Sequence, residues 1–197
     1  MACPQLSVGL RNFAAEAPGS WEALVASAEA ADRAGIDRVV VVDHVAFGES
    51  LDDYGRPELG GTAGGRQPTG PDGHWLEPLT VLALLAVRTR RVRLATGILQ
   101  AALRRPVVLA KTVATLDVLS GGRVDLGVGV GWQRAEYEAA GLRFEERGGL
   151  LDETLALCRR LWTEPVVHLD TGPVHQMPKP VQTGGVPVWV SGRATND

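Results

Sequence analysis

The chain is predicted to be an α/β protein, a parallel β-sheet covered by helices, on three observations. Short runs rich in valine and leucine alternate with helical patterns along its 197 residues. Those runs are apolar almost throughout, as strands buried on both faces are, rather than alternating with polar residues. The longest irregular stretch follows the end of one such run, where both common parallel architectures place their ligands.

Five strands are expected, at Gln5–Leu10, Arg38–Val42, Val92–Thr96, Val124–Val130 and Val186–Val190, each brief and bounded by Gly, Pro or charge. After the first, Ser20 is placed to cap a helix whose Trp21, Leu24, Val25, Ala28 and Ala31 share one face and whose stop is Gly35. Pro78 and Pro106 each stand where a first helical turn tolerates proline, ahead of "LTVLALLAV" and "VVLAKTVATLDVL". Gly121-Gly122 ends the second of these. A further helix is expected over Arg147–Trp162, with Leu150, Leu151, Leu155, Cys158, Leu161 and Trp162 toward the core. "VVHLDTGPVHQMPKP" reads as a hairpin turning at Thr171-Gly172, then an extended proline segment. The stretch "VAFGESLDDYGRPELGGTAGGRQPTGPDGHWLE" breaks the rhythm, and irregular connections of that length are functional or disordered. One domain over residues 1–197 accommodates all of this, as an open doubly wound sheet or a closed (β/α)8 barrel; propensity does not separate the two.

A formal net charge of −3 supplies no electrostatic reason for nucleic acid or an anionic membrane as partner. Cys3 and Cys158 match no metal or redox spacing and suit a reducing, cytoplasmic setting. No apolar run is long enough to span a bilayer, and the N-terminus lacks the core of a signal peptide.

Four stretches carry chemistry. Asp43-His44 ends the Arg38–Val42 strand, where an imidazole can serve as general acid or base, with Asp43 orienting its ring or binding a ligand. The plainer reading is an aspartate capping nearby amides beside a solvated histidine. In "LATGILQ", Gly97 followed by apolar Ile98 suggests a bulge where backbone approaches a flat ligand, although spacing alone favours a plain turn. In "DLGVGVGW" the dinucleotide fingerprint fails, because Trp132 stands where its third glycine belongs. The alternating glycines there admit either a planar ring or close helix packing. "VWVSGRA" can offer Ser191, Gly192 and the Arg193 guanidinium to a phosphate, or be a plain coil. His74, His168 and His175 share no ligand spacing and are expected at the surface, Cys158 as a buried helix residue, and Arg90-Arg91 and Arg104-Arg105 as solvated ends.

Taken together, "GIDRVVVVDH", "HWLEPLTVLALLAVRTRRVRLATGIL", "RRPVVLAKTVATLDVLSGGRVDLGVGVGW" and "PKPVQTGGVPVWVSGR" resemble the luciferase-like monooxygenase superfamily, its coenzyme F420-dependent oxidoreductases above all. The resemblance implies a (β/α)8 TIM barrel of the bacterial luciferase type. With typical barrels at about 250 residues, this chain is expected to be truncated after about five strand–helix units, which leaves open apolar edges that are a liability unless a partner covers them. It further implies coenzyme F420, or FMN as the alternative, at the C-terminal mouth. His44 then falls beside the reactive ring carbon with Asp43 orienting it. Gly97-Ile98 matches a non-proline cis peptide backing the ring, Gly129, Val130 and Gly131 line the ring, and Ser191 and Gly192 approach the cofactor's side chain or phosphate. Trp132 replaces a glutamate found in the family's sugar-phosphate dehydrogenases, so neither their substrate nor their acid is carried over. The expected function is hydride transfer between a deazaflavin and a small organic substrate, roofed by the 45–75 loop with Tyr54 or Trp75 in contact. The alternatives are an FMN-dependent monooxygenase or a non-catalytic cofactor-binding remnant. A homodimer is the assembly to test, and no metal is expected.

Overall fold

A computed structural model describes residues 4–59 and 61–191. In chain order the elements are β1 (Ser7–Gly9), β2 (Phe13–Ala14), α1 (Glu22–Ala34), β3 (Arg38–Val41), β4 (His74–Trp75), α2 (Pro78–Arg88) and β5 (Arg93–Thr96). There follow α3 (Pro106–Ser120), β6 (Val124–Val128), α4 (Arg134–Ala139), α5 (Arg147–Thr163), β7 (Val167–Leu169), β8 (Gly172–Val174) and β9 (Val188–Val190).

The main sheet has the order β1-β3-β5-β6-β9 with every pair parallel. Each strand lies beside the previous one of that sheet, so the order never reverses. A doubly wound sheet requires a reversal at its switch point; a barrel wall does not. The topology therefore takes the side of the luciferase-like fold. The strands are shorter than the sequence runs: the Val124–Val130 run leaves the ladder after Val128, and Gln5–Leu10 contracts to Ser7–Gly9.

Register separates the two faces. Val39 and Val41 are fully buried toward the helices, while Val40 shares its face with Gly9 and Ala95 and is only partly buried. The expectation that this strand is buried on every face is corrected: β3 alternates between buried and partly exposed residues. On the outer side, Leu82 and Leu85 of α2, Leu109 and Val113 of α3, and Leu155 and Leu161 of α5 close the core. Each such side chain contributes about 1.5–3 kcal/mol on burial. The Trp162 indole N–H anchors α5 to α3 through the Ala110 carbonyl at 3.0 Å.

The helix boundaries follow their signals with one shift. Gly35 and Gly121 adopt left-handed φ of 77° and 70° as stops, and Pro78 and Pro106 open α2 and α3. Ser20 is not the cap: the capping position falls on Trp21, and Ser20 Oγ accepts from the Glu22 amide at 3.1 Å. The hairpin of β7 and β8 pairs Leu169 with Gly172, so its turn lies at Asp170-Thr171, one residue before the expected position. His74, His168 and His175 are exposed and Cys158 is buried, its thiol pushed up to about 12 by burial. Two elements went unforeseen, α4 and the two-residue ladder of β2 with β4, which stacks Phe13 on Trp75 at 4.4 Å.

At the lower end of the sheet Asp125 accepts from Arg93 at 2.6 Å and Arg38 at 2.8 Å. Burial pushes its carboxyl up, but the two guanidinium groups outweigh that and hold it below its ordinary value. At the upper end buried Asn12 stitches the site together: its amide donates to the Val42 and Leu76 carbonyls and its oxygen accepts from the Val42 amide. No helix among the described residues is long and apolar enough to cross a membrane.

Candidate active site

The upper strand ends and the long connection after β3 enclose a cavity of about 790 Å³. That lies within the ~300–1,000 Å³ usual for small-molecule and cofactor sites. Residues from β3's end, the β5 bulge, the end of β6, the connecting loop and the start of α5 all reach it.

Asp43 and His44 part company. Successive residues of an extended chain point to opposite faces. The Asp43 side chain is fully buried and accepts from the Gln100 amide at 2.8 Å and from both terminal nitrogens of Arg104, at 2.7 and 3.1 Å. Arg104 also reaches Glu77 at 3.0 Å. Burial works against the Arg104 charge, yet Asp43 and Glu77 outweigh it and raise the guanidinium above its ordinary value. Burial likewise pushes Glu77 up, but the Thr80 amide and Arg104 hold it below the usual carboxylate range. Two expectations are corrected here: Asp43 does not orient His44, and Arg104 is no solvated end but a clamp locking the strand end to the Ala101–Leu103 turn.

His44 faces the cavity. Its Nδ1 lies 3.0 Å from Oε2 of Glu136, whose side chain is fully buried. Glu136 also accepts from the Val45 amide at 2.7 Å and from the Gln100 side chain at 2.9 Å. The other imidazole nitrogen sits 3.3 Å from the Gln67 side-chain nitrogen. Phe47 lies 4.3 Å from the ring, with Trp75 and Trp132 edge-on at 4.8 and 5.8 Å. Tyr54 packs against Trp132 at 5.6 Å, and both Tyr54 and Trp75 line the cavity. The loop is tied to α4 through Gln133, which bonds both backbone groups of Gly48.

A further part of the cavity lining is the bulge after β5. The Gly97-Ile98 peptide is cis. Leu99 exchanges backbone bonds with Gly127 and Gly129, so the bulge lies flat against the end of β6. The glycines there have distinct reasons. A Cβ on Gly127 would sit 2.0 Å from the Thr96 carbonyl oxygen, and one on Gly131, whose φ is +71°, would meet Gln100 Oε1 at the same distance. A Cβ on Gly129 would press on the Ile98 side chain at 3.1 Å. Close strand approach, not helix packing, accounts for the spacing, and Ile98, Gly129, Val130 and Gly131 face the cavity. Tyr137 fixes that edge by donating to the Val130 carbonyl at 2.6 Å; burial pushes its phenol up to about 12, which keeps it a donor.

Ser191 lines the cavity; Gly192 and Arg193 lie outside the described residues. Arg147, expected only as the start of a helix and not at the site, also borders it, its guanidinium 3.9 Å from the Phe144 ring centre. Glu136, Gln67 and Gln100 were likewise missed. A signal existed for Arg104: a cation just before a helix N-terminus is disfavoured and asks for an anion. Glu136 gave none, because α4 is too short for periodicity to show. No group of His, Cys, Asp or Glu among the described residues could hold a metal ion.

Comparison with known proteins matches residues 7–195 to the family model of luciferase-like monooxygenases. The chain is 35% identical over 155 residues to an F420-dependent glucose-6-phosphate dehydrogenase of Segniliparus rotundus, covering 75% of this chain and 39% of that protein. It is 34% identical over 127 residues to the oxygenase component of a flavin-dependent trigonelline monooxygenase of Acinetobacter baylyi, covering 60% of this chain and 35% of the relative. A crystal structure of a monooxygenase from Streptomyces bottropensis superposes with a TM-score of 0.71 at 29% identity, over 95% of this chain and 53% of its own. The chain thus spans about half of these relatives' length or less.

Proposed function

The chain belongs to the luciferase-like monooxygenase family, and from that membership and the site we propose an oxidoreductase that moves hydride between coenzyme F420 and a small organic alcohol or carbonyl compound. The observation carrying this reading is that one cavity brings together the apolar lining of Ile98, Gly129 and Val130 and the His44 imidazole.

The residues fit a tricyclic cofactor. A Cβ on Gly97 would meet Val40 at 2.5 Å and one on Gly129 would press on Ile98 at 3.1 Å, so the two glycines let Ile98 pack flush along the cavity, while Arg147 and Ser191 supply a cation and a hydroxyl for a phosphate-bearing tail. When bound, a deazaflavin supplies a ring carbon that accepts or returns hydride. His44 would take the proton from a substrate hydroxyl when that substrate gives hydride to the bound cofactor, the substrate becoming a carbonyl compound, and would return the proton in the reverse direction. Phe47, Trp75 and Trp132 keep water from the imidazole. Asp43, held by Arg104, fixes the strand end from which His44 projects and takes no part in proton transfer.

A second reading, an FMN-dependent monooxygenase, is favoured by the likeness to the trigonelline enzyme's oxygenase component. Fluorescence titration of the 197-residue chain with coenzyme F420 and with FMN, in separate cells, tests both. Saturable F420 binding at micromolar concentration, with FMN weaker, is expected. Binding of FMN alone moves the reading to the monooxygenase, and binding of neither defeats the enzyme for this chain.

A further inference from the structure

We propose that Glu136 is the positioning residue that fixes His44 in one tautomer, hydrogen on Nδ1, and so makes Nε2 the nitrogen that exchanges protons with substrate. This rests on the reading of His44 as the acid–base group. Glu136 reaches the site from α4, 92 positions along the chain from His44.

The donor and acceptor inventory carries the inference. Glu136 Oε1 takes the Val45 amide at 2.7 Å, and Oε2 takes the Gln100 side-chain N–H at 2.9 Å. A carboxylate so engaged acts as acceptor, so the nitrogen 3.0 Å from Oε2 must carry the hydrogen. Nε2 is then left with its lone pair. The side-chain amide of Gln67, its nitrogen 3.3 Å away, can then donate to that lone pair. Among the described residues no other carboxylate is found bonded to the ring, and the nearby Asp43 is taken by Arg104 and the Gln100 amide. Glu136, in turn, makes no ion pair with Arg or Lys among those found in the described residues. The positive charge that develops on His44 as it accepts a proton is the counter-charge the buried carboxylate faces, which stabilises the imidazolium as it forms. Gln67, from the roof loop, occupies Nε2 until a substrate hydroxyl displaces it. The electrons stay with the substrate–cofactor pair throughout; Glu136 neither gives nor takes a proton.

Glu136→Gln separates positioning from simple support. The amide oxygen can still accept from Val45, but an NH2 group then faces Nδ1 and favours the opposite tautomer, while the Gln100 amide can flip to present its unpartnered Oε1. The measurement is a long-range 1H–15N spectrum of the 15N-labelled chain, followed up to alkaline pH, with His44 assigned by its loss in His44→Gln. His74, His168 and His175 are exposed and serve as internal references that average between tautomers. We expect His44 to show a single Nδ1–H pattern that Glu136→Gln reverses or averages, with turnover down roughly 10²-fold and KM changed less than about threefold. A His44 signal already averaged in the wild type, or unmoved in Glu136→Gln, overturns the inference. Should that variant not fold, the wild-type spectrum decides alone. A locked tautomer without cofactor binding keeps Glu136's role and defeats the oxidoreductase; cofactor binding with an averaged His44 does the reverse.

Discussion

Replacing Arg104 by methionine is expected to cost the fold about 3–5 kcal/mol, the usual loss when one partner of a buried ion pair is removed, and to lower Tm by roughly 10 °C. The reason is geometric. Asp43 has a fully buried carboxylate that receives two of its contacts from Arg104 and one from a backbone amide. Methionine fills the space of the guanidinium stem but leaves the charge with a single donor. The check is thermal or urea unfolding of Arg104→Met beside Asp43→Asn and the double variant. The two losses should be strongly non-additive, the double variant recovering part of the single-site cost. An Arg104→Met protein as stable as the parent would show that the clamp contributes nothing.

The largest effect on activity is expected at His44. His44→Gln keeps a polar side chain in the aromatic surround of Phe47, Trp75 and Trp132 but removes the imidazole that can take up and release a proton. With any alcohol the wild-type chain oxidises, kcat should fall by roughly 10²–10⁴, while the cofactor Kd moves less than about threefold. Equal losses of turnover and cofactor affinity would instead make His44 a ligand contact with no role in proton transfer.

These two residues also mark how far the sequence could be read. The valine run, the Pro-opened helices and the glycine stops were legible because each depends on local chemistry: β-branching, a fixed φ, a left-handed turn. At Gly97-Ile98 spacing alone favoured a plain turn over the bulge that forms, and the glycines from Gly127 to Gly131 left a planar ring and helix packing equally open, whereas close strand approach is what Gly127 serves. What misled was adjacency. Asp43 and His44 are neighbours in sequence, yet strand periodicity sends them to opposite faces, so the aspartate cannot serve the histidine. The groups that do serve each of them come from 61 and 92 positions downstream, Arg104 and Glu136. Only the parallel stacking of β3, β5 and β6 brings those positions together, and no local pattern encodes such distances. The glycines of β6 show the same limit: their period was visible, but the partner that required it, the Thr96 carbonyl, was not.

The central claim is that the wall of Ile98 and Gly129 seats a flavin-type ring beside His44. Its most direct test compares cofactor binding by the wild-type chain and by Ile98→Glu, which sets a carboxylate on that wall where the partly exposed isoleucine now stands. Circular dichroism and the melting profile establish that both proteins are folded. Saturable binding of F420 or FMN to the wild type, weakened at least about tenfold by Ile98→Glu, equivalent to ~1.4 kcal/mol, is the predicted result. Binding that is equally tight in both proteins would put the cofactor somewhere other than beside His44.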